Sequence, residues 1–355
     1  MSFWESRAGL ITAAVIGLVL LVGLPQVVEL FTLLELTVYV IAAILALSLG
    51  LIWGYGGILC FGQAAFYGLG AYTYAVAAFN MTDNTVPFLL AIAVPALFAG
   101  ALGYFMFYGK LSDVYVGVMT LVVTLIFFKF INHTAGDEYR IGQALLGGFN
   151  GIPAIPPLHW PGDPNAFFGP EEMFYLCMAL LLIVYFGLRA LLASHFGRVV
   201  VAIRENETRA ELLGYDTRLY KTAVFAIGGG VAGLAGCLFA NWGAFVSPNV
   251  FSLTQTAQII IWVLVGGLGT LIGPVVGAVA LSYLTTQLGT QTVLNSTLVM
   301  GAILVLFVLL VPRGLVPSLA MAWTKLTGQR RRRRPGRVER PRRPRREPEE
   351  TADAG

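Results

Sequence analysis

Long apolar runs, each closed by a short polar or glycine-rich break, occupy almost the whole chain. A helix needs about 20 mostly apolar residues to cross a bilayer. Runs near that length fall at roughly 9–24, 36–53, 57–79, 87–108, 114–131, 172–192, 221–241, 255–272, 273–288 and 297–312. The pattern predicts an all-α polytopic membrane protein of about ten spans. The first run, Gly9–Leu24, follows Arg7 and closes on Gly23-Leu24-Pro25-Gln26 rather than a small-x-small cleavage site, so it reads as a retained first helix. Two stretches, 54–70 and 265–277, carry too much glycine for regular helices and are expected to be broken or re-entrant.

Polar residues gather in few places. The longest charged stretch ahead of the C-terminal arginines is Ser194–Tyr220, SHFGRVVVAIRENETRAELLGYDTRLY, which sets Arg198, Arg204, Arg209 and Arg218 against Glu205, Glu207, Glu211 and Asp216. A membrane protein that confines its charge to one internal loop is expected to touch a soluble partner there. A second loop, Asn132–Glu172, holds Asp137, Glu138, Asp163, Glu171 and Glu172 with six prolines, Pro153, Pro156, Pro157, Pro161, Pro164 and Pro170. That many prolines do not fit one helix, and the loop is long for a passive connector. It is expected to be an ordered, extended cap where a partner docks, with a mere connector as the alternative.

Short-loop Lys and Arg residues set orientation. With both termini in the cytoplasm, Arg7, Lys110, Arg189, Arg198, Arg204, Arg209, Arg218, Lys221, Arg313 and Lys325 lie inside and only Lys129 and Arg140 lie near the outside, ten against two. On this reading residues 1–328 form the membrane domain, with 194–220 a cytoplasmic loop and 132–172 on the outer face. Residues 329–355 form a tail with little apolar surface beyond Val338, expected to be disordered. Its five consecutive arginines beside the last run suit a tether to anionic lipid. No nucleic-acid-binding domain accompanies them.

Composition sharpens the class. The chain is 57% hydrophobic and 12% charged, against about 25% charged in soluble domains. The net charge of +4 belongs to the tail: removing Arg330–Gly355, with its eleven arginines and five acids, leaves 12 basic and 14 acidic residues. Cys60, Cys177 and Cys237 all sit in apolar runs, an odd set read as buried packing and not as a disulfide framework. There is no phosphate-binding G-x-x-x-x-G-K-[ST], no H-E-x-x-H and no G-x-S-x-G. No catalytic residues, metal site or cofactor are expected, and any ATP used must be bound by another polypeptide. Glu29, Glu35, Asp113, Lys129 and Arg189 fall at the ends of apolar runs. An ion-coupled carrier working alone, which often places carboxylates at mid-membrane, is thereby disfavoured but kept as a rival.

The two glycine-rich stretches are the candidates for a path through the membrane. In the first, Gly62, Gln63, Tyr67 and Tyr72 combine small residues with polar tips; in the second, Trp262, Gly266, Gly267 and Gly269 precede Pro274. Each lines a path or, alternatively, forms a tight packing seam with aromatic filler. Their similar places in the two halves hint at internal duplication.

Four blocks carry a resemblance: Ala46–Ala75 (ALSLGLIWGYGGILCFGQAAFYGLGAYTYA), Leu145–Pro153 (LLGGFNGIP), Gly197–Ala240, and Val263–Ala278 (VLVGGLGTLIGPVVGA) followed by Val311–Pro317 (VPRGLVP). Together they resemble a permease subunit of the branched-chain amino-acid and amide class of bacterial ABC importers. The resemblance implies a fold like that of vitamin-B12 importers, with two pseudo-related halves, in the bacterial inner membrane. It implies four kinds of partner: a second homologous permease, two cytoplasmic ABC ATPases, a periplasmic substrate-binding protein, and the bilayer itself. It places a coupling helix within Ile203–Tyr215, with Arg204, Glu205, Asn206, Glu207, Arg209 and Glu211 as a charged rim, Leu212 and Leu213 as apolar anchors, and Gly214 as the helix end. Two departures stand out. Ser112-Asp113 occupies the place of a basic Leu-Arg-Gly turn, and Gln63 replaces the His or Tyr frequent in relatives.

Branched-chain or other hydrophobic amino acids are the leading substrates implied, with urea or short amides as the alternative. A scaffold that recruits partners through the arginine tail is a further rival, and would lose its function with the tail. Two substitutions test the reading: a Glu207→Arg/Arg209→Glu swap should uncouple ATP hydrolysis from delivery, and Gly269→Leu should abolish assembly by blocking close packing.

Overall fold

The computed structural model describes residues 7–160, 166–289, 301–302, 314–316 and 318. The expected span at 297–312 and the tail after 328 therefore lie outside the described residues, apart from 301–302. The remaining predicted spans correspond to helices. These are α1 Arg7–Val27, α2 Leu30–Leu49, α3 Gln63–Asn80, α4 Thr85–Tyr108, α5 Asp113–His133, α6 Pro170–Ala193, α7 His195–Glu205, α8 Glu207–Leu212, α9 Thr217–Gly243, α10 Leu253–Gly266 and α11 Ile272–Gly289. Among the described residues six segments are long and apolar enough to cross a membrane: Leu30–Tyr55, Thr85–Tyr108, Asp113–His133, Pro170–Ala193, Thr217–Gly243 and Ile272–Gly289.

Both glycine-rich stretches are interrupted. After Leu49, α2 runs on as a π-helical turn, Gly50–Tyr55, and the chain does not resume a helix until Gln63. The second interruption separates α10 from α11 at Gly267–Leu271. At 14 residues, α10 is only about 21 Å long, too short for a hydrocarbon core of about 30 Å. The run expected at 255–272 is thus not one continuous span.

The body is built around α9, which packs against α3, α4 and α2. Small residues let these backbones meet. Gly70 of α3 lies against the Gly233 carbonyl of α9, and Gly236 lies against the Tyr67 carbonyl, leaving no room for a Cβ at either position. Phe66, Phe225 and Phe107 fill the space beside this seam edge-to-face, with centroids 5.4 and 5.9 Å apart. Cys60, Cys177 and Cys237 are free and buried.

Chain direction separates two ends. The 24-residue α6 starts at the cap segment and finishes at the charged loop; α9 runs back from that loop to the cap. The cap segment holds short strands and one 3-10 turn, Gly148–Asn150, where described. Strands β1 Arg140–Ile141 and β2 Ala144–Leu145 form a short hairpin, and β3 Ile152–Pro153 pairs antiparallel with β4 Phe245–Val246, which follows α9. Side chains from the body pin it. Asn80 Nδ2 donates to the Ile141 carbonyl and its Oδ1 accepts from Gln143 N–H, at 2.9 and 2.8 Å. Tyr74 donates to the Pro156 carbonyl at 3.0 Å, and Asn241 Oδ1 accepts from Leu158 N–H at 2.8 Å. Asp83, beside the buried His159, has its carboxyl held below the usual range, first by the Thr85 backbone N–H.

Candidate functional site

A cavity of about 340 Å3 opens in the cap-side half of the body, a volume within the range of small-molecule sites, about 300–1,000 Å3. Its apolar wall is Val38, Ile41, Ala42 and Leu45 of α2, with Phe239 of α9. Polar lining comes from Gln255, Gln258 and Trp262 of α10 and Ser282, Thr285 and Thr286 of α11. Ser247 and Asn249, just after β4, close the cap side. None of the described lining residues is acidic, basic or histidine. Neutral hydroxyls and amides together with aliphatic side chains suit a small solute with an apolar body and a polar end.

One lining group is left without a partner. Tyr39 is 4% exposed, and its hydroxyl has no hydrogen-bond partner among the described residues. An unmet buried hydroxyl costs about 1–3 kcal/mol, a cost relieved when a movement of the wall lets a water or a passing solute reach it.

The predicted path residues divide. Tyr67, tilted against Phe239 at 5.8 Å, and Trp262 line the cavity. Gln63 does not. It is 2% exposed and tied into a buried knot, donating to Ser48 Oγ at 2.6 Å and to the Gly228 carbonyl at 3.3 Å. Tyr72 stacks on Phe251 at 5.6 Å, the filler arrangement. Gly62 fits against Thr120 of α5, with no space for a Cβ. Gly266 meets the Gly273 carbonyl across the second interruption, and Gly267 ends α10 at φ +110°. Gly269 is at no seam among the described residues: a Cβ there would meet none of their atoms within 4 Å. The close approach belongs to Gly266, Gly273 and Gly277 instead, so the assembly failure expected of Gly269→Leu loses its basis.

Gln255, Gln258, Ser282, Thr285, Thr286 and Tyr39 are among the lining residues that sequence reasoning misses. Their spacing holds a signal. Gln255, Gln258 and Trp262 recur at i, i+3 and i+7, and Ser282, Thr285 and Thr286 at i, i+3 and i+4, each a polar stripe on one face of an otherwise apolar helix.

At the other end the charged loop folds into two short helices, α7 and α8, which pack together as a helical hairpin. Ser194 caps α7, Asn206 caps α8 by accepting from Arg209 N–H at 2.9 Å, and Asp216 caps α9. Such caps are each worth about 1 kcal/mol. Leu213 and Gly214, at φ +89°, end α8. Val199, Ile203 and Ala210 form a small core under Tyr215 and Tyr220. Leu212 and Leu213 stand outside it, 82% and 76% exposed. Of the rim charges, Glu207 is bound to Lys221 of α9 at 2.6 Å and Glu211 accepts from Thr217 at 3.1 Å. Arg204 turns inward to the Gly54 carbonyl and also contacts Glu205 at 2.6 Å. The Glu207→Arg/Arg209→Glu swap is thus a poor probe of docking, because it sets a guanidinium against the Lys221 ammonium and breaks the hairpin's own clamp.

The family described as "Branched-chain amino acid transport system / permease component" matches residues 31–308. The high-affinity branched-chain amino acid transport system permease protein LivM of Escherichia coli is 30% identical over 324 residues, covering 84% of this chain and 73% of LivM. The probable branched-chain amino acid transport permease protein LivM of Methanocaldococcus jannaschii is 24% identical over 325 residues, covering 78% of this chain and 90% of its own. An autoinducer 2 import system permease protein LsrC from an Enterobacter strain is 32% identical over 227 residues, 62% of this chain and 61% of its own. No solved structure matches.

Proposed function

The chain belongs to the family of branched-chain amino acid transport permeases, and from that premise we propose that it forms the membrane path of an ATP-driven importer for branched-chain or other hydrophobic amino acids. The chain is a transport subunit. ATP is hydrolysed by two separate ABC ATPases, a second homologous permease completes the pore, and a periplasmic binding protein delivers the solute to the cap. The body adopts a fold like that of vitamin-B12 importers with about ten spans, lies in the bacterial inner membrane, and keeps both termini in the cytoplasm.

The observation that carries this reading is the hairpin. An exposed leucine pair on a capped, clamped, charged element outside the membrane helices has no use in a solitary carrier. It fits an apolar anchor entering a cleft on an ATPase, with Arg209 and its neighbours at the rim adding only about 0–1 kcal/mol per pair. Closure of the ATPase dimer on ATP moves the hairpin, and its different affinity for the two states of the permease supplies the driving force. The cavity supports the substrate class. Its neutral, half-apolar lining offers passage without the strong contacts that would retain a solute.

Purification of the tagged chain from mild detergent tests the assembly. An ATPase pair and a second permease are expected to co-purify. A homo-oligomer devoid of ATPase contradicts the reading.

A further inference from the structure

Arg204 reaches out of the hairpin to the point where the first helix interruption begins. The backbone there has a free acceptor. In a regular helix Ile58 N–H would bond the Gly54 carbonyl; here it bonds Ile52 instead, at 3.1 Å. Arg204 Nη1 takes the Gly54 carbonyl across 150 positions of sequence. The arginine stem lies on Gly57, whose φ of +69° is glycine's left-handed territory, and a Cβ there would sit 2.6 Å from Arg204 Cγ. On its other face Gly54 is pressed against the carbonyl of Leu268, inside the second interruption. Gly54 is therefore held between the hairpin and Gly267–Leu271.

The hairpin is built to move as one piece. Its own apolar core, the Asn206 cap joining α7 to α8, and the Lys221–Glu207 pair link Leu212 and Leu213 rigidly to Arg204. We propose that Arg204 is the positioning residue that transmits hairpin displacement to both helix interruptions, so that a push on the leucine pair re-registers Gly54 and, through it, Leu268. It touches neither ATP nor solute. The guanidinium suits this, because its planar fork spans the Gly54 carbonyl and Glu205 together, whereas a lysine ammonium acts as a point charge. This rests on the permease reading above.

The test uses the full complex in proteoliposomes with its ATPases and leucine-loaded binding protein, comparing wild type, Arg204→Met and Arg204→Lys. Three quantities are read: ATPase co-purified, ATP hydrolysed, and leucine taken up per ATP. Both variants should retain ATPase and hydrolysis close to wild type. Leucine per ATP should fall about tenfold in Arg204→Met and about threefold in Arg204→Lys, the size of a modest coupling free energy. Wild-type leucine per ATP in Arg204→Lys overturns the proposal, even if Arg204→Met fails to accumulate. So does a loss of uptake matched by equal loss of co-purified ATPase, which would make Arg204 a structural prop for docking. A wild-type complex without ATP-coupled uptake fails in a different place: it overturns the permease reading and this proposal with it.

Discussion

Tyr39 and Gly269 make opposite predictions about what single side chains do. Tyr39 lines the cavity, and its hydroxyl is buried without a partner among the described residues, so Tyr39→Phe removes no hydrogen bond seen among them. Thermal stability should hold or rise, by up to about 1–3 kcal/mol, while the rate of uptake falls about threefold, the worth of one weak hydrogen bond to the solute or its water. Unchanged uptake would show that solute does not pass this wall. Gly269→Leu meets no atom of the described residues within 4 Å of the new Cβ and should assemble normally. Gly277→Leu should not, because a Cβ on Gly277 already has no room beside the Trp262 carbonyl, and overpacking in such a seam costs about 1–3 kcal/mol or more. Yield of monodisperse protein in detergent separates the two. Glycine content makes both stretches conspicuous in the sequence, but the sequence does not say which glycine faces a neighbouring backbone. That depends on where each helix stops, and the stop at Gly266 puts Gly269 on the outside of the turn.

At the scale of elements, the hairpin α7–α8 is legible because its charges, its Asn206 and Asp216 caps and its Gly214 stop are local signals. Its attachment is not. Glu207 with Lys221 and Arg204 with Gly54 are contacts between distant positions, and residues that pair across the fold look like ordinary surface charges in a sequence. The same holds for the cap. Its prolines announce extended backbone, while the pairing of Ile152–Pro153 with Phe245–Val246 joins segments almost a hundred residues apart. The π-helical turn at Gly50–Tyr55 is also unannounced, since it follows an unbroken apolar run. Docking is predicted to reside in the leucine pair. Leu212→Asp with Leu213→Asp leaves the small core of Val199, Ile203 and Ala210 untouched and should reduce co-purified ATPase at least tenfold, the loss expected when a central apolar anchor is truncated. Co-purification at the wild-type level would move the docking site elsewhere.

For the whole molecule, the two ends divide the work: a pinned cap and a neutral cavity on one side, a rigid hairpin on the other, joined by helices interrupted at Gly56–Gly62 and Gly267–Leu271. The arginine tail lies outside the described residues. Deletion of Arg330–Gly355 should preserve most transport and weaken only association with anionic vesicles; loss of transport on deletion would favour the scaffold. The measurement that bears most directly on the account is leucine uptake by proteoliposomes holding the chain with its co-purified subunits and binding protein, with ion gradients collapsed by ionophores. Uptake that depends on ATP, competes with valine and ignores urea is the predicted result. Uptake by the chain alone, driven by an ion gradient and indifferent to ATP, would contradict it.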